Sequence, residues 1–213
     1  MVNGLLFFED LLQFIGAIVA FGIAYVSYRG VRETQSSSLL RLAAAFAFLG
    51  TGFVLQGLSE YPGIGALSGF VPFVATLLIA GLFLETTGYF FLAFSHFLDV
   101  LISKRTGIML AFIPLVALSQ SSITIILSSL SFYFILYGVV ETLFSYARSR
   151  NPNTLLIAVG LGLIGAGWWV SLAGADILLL TLLQLVMKEV GLLTLFIPVL
   201  GFSFRKGDTL GAV

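Results

Sequence analysis

The chain contains no cysteine, which excludes disulfides, thiolate metal sites and cysteine nucleophiles. Histidine is nearly absent too: His96 stands alone, beside three methionines. That set does not supply the paired axial ligands by which a b-type cytochrome holds each haem. Charge is equally scarce. Charged residues make up 9% of the 213, whereas soluble domains carry about 25%. The formal net charge is zero, so there is no broadly basic surface for nucleic acid. Asparagine is rare, as in many thermophilic proteins.

Catalytic patterns are missing as well. There is no H-E-x-x-H, no G-x-S-x-G, no P-loop and no His/Asp/Glu metal cluster. The glycines of "GLGLIGAG" lie inside an apolar run with no strand before them, so they do not form a phosphate cradle. Asp99 and Asp176 fall near opposite membrane surfaces, which argues against an intramembrane aspartyl protease, and His96 has no serine partner in view. No enzymatic activity, cofactor or metal is expected.

What the chain has in abundance is apolar sequence. Hydrophobic residues reach 59% and the mean hydropathy is +1.12. Apolar runs recur from end to end with short polar breaks, which predicts an all-α, multi-pass protein of the plasma membrane forming one transmembrane domain over 1–213. The start, "MVNGLLFFED", lacks a basic n-region and does not read as a cleaved signal peptide. Spans are expected at 11–28, 38–57, 72–100, 107–120, 121–146, 154–174 and 177–204, each judged against the ~20 apolar residues needed to cross the hydrocarbon.

The fourth is short and contains Pro114, and charge decides its reading. Nine of the ten basic residues, Arg29, Arg32, Arg41, Lys104, Arg105, Arg148, Arg150, Arg205 and Lys206, follow spans one, three, five and seven. Glu9, Asp10, Glu60 and Asp176 mark the other side. The positive-inside rule then places the N-terminus outside and the C-terminus in the cytoplasm. Keeping Lys104 and Arg148 on one side requires an even number of crossings between them, hence seven spans. Tyr28 and Tyr146 mark the inner interface, and Gly160, Gly162, Gly165 and Gly167 predict close packing of the sixth span.

Two stretches resemble one another. "SYRGVRETQSSSLLRLAAAFAFLGTGF" begins at Ser27 and "SYARSRNPNTLLIAVGLGLIGAGWW" at Ser145. Each closes a span with Ser-Tyr, continues through two arginines and a polar turn, and opens the next span with Leu-Leu before a Gly-x-Gly-aromatic. Spans one to three (1–103) would then repeat as five to seven (121–213), joined by a linker helix over 104–120, as a parallel repeat about the membrane normal. This 3+1+3 plan is similar to that of the SWEET sugar transporters, without their Pro-Gln pair. The three-span unit, with "SYRGVR" and "LETTGYFFLAFS", also resembles small archaeal membrane proteins of unknown function. Neither resemblance implies an activity for particular residues.

Aligning Gly88 with Gly191 sets Glu85 opposite Lys188. Gln56, Trp168 and Gln184 come at similar heights, and Lys188 lies about 25 Å above Arg205 at ~1.5 Å per helical residue. An intramembrane charge costs roughly 2.5–3.5 kcal/mol and is a candidate functional site by default. Glu85 and Lys188 are expected to pair, with Glu189, ~100° round the helix from its neighbour, turned to water or to a polar group on another helix. Glu85, Lys188, Glu189, Gln184, Gln56 and Trp168 form the candidate substrate or ion pathway, with His96 and Glu141 as secondary candidates.

Three functions fit. The leading one is a transporter or ion-permeation bundle for a small polar or charged solute, favoured because an intramembrane ionisable residue is a functional-site candidate by default. Another is a non-enzymatic subunit or sensor of a membrane complex, or a homo-oligomer, whose polar layer only fixes packing. The third is a retinal-binding seven-helix protein with Lys188 as the Schiff base, although the motifs around that lysine do not match. A dry Glu85–Lys188 pair that no cavity reaches would favour the subunit over the transporter.

Overall fold

A computed structural model describes residues 2–60, 71–93, 120–174 and 178–204. Its six helices are α1 (Val2–Thr34), α2 (Ser37–Glu60), α3 (Val71–Ala93), α4 (Gln120–Ser149), α5 (Pro152–Gly174) and α6 (Leu178–Phe204). Among the described residues, all six are long and apolar enough to cross a membrane. The protein is a multi-pass membrane protein, and its regular structure among the described residues is all helical. The expected span over 107–120 lies outside the described residues except for Gln120, which begins α4.

All the described helices except α6 run past an expected limit. The first span was expected at 11–28, yet α1 continues unbroken from Val2 to Thr34, through Glu9 and Asp10. Backbone bonding does not require apolar side chains, so a helix continues into the interface wherever the chain tolerates it. α4 likewise extends to Ser149, beyond the expected 146.

Two tight connections share one device. Gln35 and Arg150 have φ of 54° and 53°, and their N–H groups donate to Val31 O at 2.7 Å and Tyr146 O at 2.8 Å. Each ends its helix in a left-handed residue, so that the next helix starts within two or three residues. Pro152 then opens α5 at the position where its missing N–H costs nothing. Asn151 caps that end, its Oδ1 accepting from Asn153 N at 3.0 Å.

Each helix packs on its neighbours in chain order, and α6 returns to α1. The ring closes around a core that includes Phe46, Leu49, Phe53, Tyr89, Ile164, Trp168 and Leu192. The outside is apolar: Ile18, Leu179, Phe144 and Trp169 are exposed, as a surface facing lipid requires. The adjacent tryptophans divide the roles, Trp168 pointing inward and Trp169 outward.

Two helix pairs approach by means of glycine. A Cβ on Gly52 of α2 would lie 2.8 Å from Gly81 O and 3.0 Å from Glu85 N of α3. One on Gly167 of α5 would lie 2.9 Å from Gln184 O and 3.5 Å from Lys188 N of α6. Further along, Gly88 stands over Ala45 O and the Leu49 side chain, and Gly191 over Gly160 O and Ile164. Of the four glycines expected to pack α5, Gly160 and Gly167 meet α6 and Gly165 meets Ile135 of α4, but Gly162 has nothing within 4 Å.

Candidate functional site

The close α2–α3 and α5–α6 contacts turn four polar or charged side chains toward the middle of the ring. Glu85 of α3 is 0% exposed and Lys188 of α6 is 3% exposed. Lys188 Nζ donates to Glu85 Oε1 at 3.0 Å. Tyr89 Oη, one turn along α3, donates to the same oxygen at 2.8 Å. Gln56 Nε2 of α2 donates to Oε2 at 2.8 Å. Both carboxylate oxygens are therefore bonded, which is what an ionised group in hydrocarbon demands.

The ammonium has a second support. Lys188 Nζ lies 3.6 Å from the centroid of the Trp168 ring, and Tyr89 meets that ring edge-on, with centroids 6.3 Å apart and planes at 88°. A cation over an indole face is stabilised by about 2 kcal/mol or more when desolvated. The lysine thus sits between a carboxylate on α3 and an aromatic face on α5. Thr86, adjacent to Glu85, adds a neutral link, its Oγ1 lying 2.8 Å from Ser131 Oγ of α4.

Glu189 behaves differently. It is 4% exposed and points at α1, where its carboxylate fills the space that a side chain on Gly16 would take. Its Oε2 is buried without a hydrogen-bond partner. Gln13, one turn before Gly16, is also 4% exposed, and its Oε1 likewise has no partner. Glu189 was expected to turn to water or to a polar group on another helix; the contact found is with Gly16 of α1.

Of the residues singled out from sequence, Glu85, Lys188, Gln56 and Trp168 come together, with Glu189 beside them on the α1 side. Gln184 is half-buried and meets α5 through its backbone oxygen, against which Gly167 packs. Glu141 is separate. It lines a cavity of about 1100 Å³ with Arg148 and Ser145 of α4, Phe46 of α2, Leu92 of α3 and Leu195 of α6. His96 lies outside the described residues. Sequence reasoning missed Tyr89 as a ligand of Glu85, although their i,i+4 spacing places them on one face. It also missed Gln13 and Gly16.

The large cavity is lined by apolar as well as polar side chains. Leu195 is two turns from Lys188, and Leu92 is about one turn from Tyr89. A second cavity of about 330 Å³, lined by Phe132, Leu136, Gly162 and Trp169, lies between α4 and α5. Neither is lined by Glu85 or Lys188. Among the described residues, no three His, Cys, Asp or Glu side chains gather as metal ligands. Comparison with protein-family models, curated proteins and solved structures finds no match to this chain.

Proposed function

We propose that this chain is a non-enzymatic, membrane-embedded subunit or sensor of a larger plasma-membrane assembly, and that its polar layer locks two half-bundles in register. The observation that carries this reading is the Glu85–Lys188 contact at 3.0 Å between two almost fully buried side chains. A carboxylate that already accepts from Lys188, Tyr89 and Gln56 has three of its roughly four acceptor sites taken by the protein itself. Buried ion pairs of this kind often specify packing.

The half-bundles are α1–α3 and α4–α6, arranged as 3+1+3 with 107–120 as the seventh, linking span, the N-terminus outside and the C-terminus inside. Support for the repeat comes from the glycine contacts: Gly52 relates to Gly81 and Glu85 as Gly167 relates to Gln184 and Lys188. The left-handed residues Gln35 and Arg150 close α1 and α4 in the same way. Basic residues at those two ends support the orientation. An acid and a base at equivalent positions of two related units would pair across the axis between them, a sound design for a lock.

The cavity of about 1100 Å³ favours a second reading, transport of a small polar solute, with the ion pair as a closed barrier two helical turns from Leu195 of its lining. The retinal reading draws no support from the site, because Glu85 and the Trp168 ring already occupy Lys188 Nζ. Native mass of the protein extracted in mild detergent, paired with flux assays on reconstituted liposomes, separates the two. A defined complex larger than the single chain, without flux, fits the subunit. Solute flux by the isolated chain, abolished in Lys188→Met, would replace it with the transporter.

A further inference from the structure

The cavity of about 1100 Å³ stands apart from the Glu85–Lys188 lock, since neither residue lines it. Five helices, α2 to α6, contribute to its walls. Its lining on α4 runs from Tyr137 to Ser149, about 18 Å of helix. Ligand pockets span roughly 300–1,000 Å³, so there is room for a drug-sized molecule. Apart from Thr154, the residues that the other four helices bring to it are apolar, Phe46, Leu92 and Leu195 among them.

Among the described residues of the lining, two are charged, and both belong to α4. Arg148 is exposed, in the last turn of its helix, where a guanidinium reaches water. Glu141 lies two turns further into the helix and is half-buried. Its carboxylate makes no hydrogen bond or ion pair among the described residues. The charge that the cavity leaves unanswered is therefore negative.

A carboxylate without a partner, facing a roomy apolar cavity, selects its ligand by two properties at once. A small inorganic cation would match the charge, yet it would give up its hydration to leucine and phenylalanine walls that return nothing. A cation carrying apolar groups answers both, burying those groups against the walls while its charge meets Glu141. Phe46, Tyr137 and Phe144 add aromatic rings to the same lining, and ring faces attract cations.

We propose that this cavity binds a hydrophobic organic cation, with Glu141 as its counter-charge. The site stands whether the chain is a sensor or a transporter. A sensor would read the cation there, and a transporter would carry it.

The test measures binding of tetraphenylphosphonium to the full chain in mild detergent by equilibrium dialysis, with empty micelles as the blank. Wild type should bind it saturably, one per chain. Glu141→Gln should weaken binding at least about tenfold, the scale of losing one partly desolvated charge contact, whereas Glu141→Asp should keep most of it. Tetraphenylborate, of the same shape and opposite charge, should bind wild type at least about tenfold more weakly. Should Glu141→Gln fail to fold, Glu141→Asp and the comparison of the two ions on wild type still decide. Uptake no greater than by empty micelles, or equal binding by Glu141→Gln, overturns the proposal. So does tetraphenylborate binding as tightly as its cationic twin, which would mean that Arg148 or the apolar walls choose the ligand.

Discussion

Lys188 and Glu85 are 103 residues apart in the chain and 3.0 Å apart in space. Their contact joins the last helix to the third across the middle of the ring. Removing one member of a buried pair leaves the other charged, unpaired and out of reach of water. Lys188→Met should therefore destabilise the bundle by about 3–5 kcal/mol, measured by thermal or denaturant unfolding in detergent.

Tyr89 supplies one of the three donors to the Glu85 carboxylate. Tyr89→Phe keeps the ring against Trp168 and deletes only the hydroxyl. The expected loss is about 1.5–3 kcal/mol, the range for hydrogen bonds to charged groups. Gln56→Leu, which removes the donor on the other oxygen, should cost a similar amount, and the same unfolding measurement compares them.

Gly52 and Gly167 each face a neighbouring helix backbone below 3.0 Å from the place a Cβ would take. Backbone cannot turn aside as a side chain can. Gly52→Ala and Gly167→Ala should each cost about 1–3 kcal/mol by forcing helices apart. Gly162, with nothing within 4 Å, is the control. Gly162→Ala should leave stability unchanged or raise it by up to about 1 kcal/mol through helix propensity.

The absence of cysteine makes the orientation simple to test. Single cysteines at Ser36, Ser103 and Ser149 should all react with a membrane-impermeant thiol reagent from the cytoplasmic side only. Labelling of Ser103→Cys from the side opposite Ser149→Cys would mean that the chain between them crosses once, and the seven-span plan would fall.

Much of the membrane architecture was legible because the hydrocarbon core imposes one length on every span. The pair was legible for a related reason: charge inside an apolar run is expensive, so Glu85 and Lys188 stood out and needed each other. Side-chain direction was harder to read. Lys188 and Glu189 are neighbours in sequence, and only the rotation of α6 against α1 and α5 decides which faces Glu85 and which faces Gly16. Gln13 lies three residues after Asp10, where nothing in the sequence marks it as inward-facing, yet it is buried. Gly162 stood in the same run as Gly160 and Gly167. The helical period separates it from them, since residues seven apart share a face and residues two apart do not.

The central claim is that Glu85 and Lys188 act on each other as a lock. A double-mutant cycle on unfolding free energy tests it directly, using Glu85→Leu, Lys188→Met and the double variant. The account predicts that the double variant loses about 2–3 kcal/mol less than the sum of the two single losses, because neither Glu85 nor Lys188 is then left without the other. Losses that simply add would mean that the two residues contribute independently, and the lock would be abandoned.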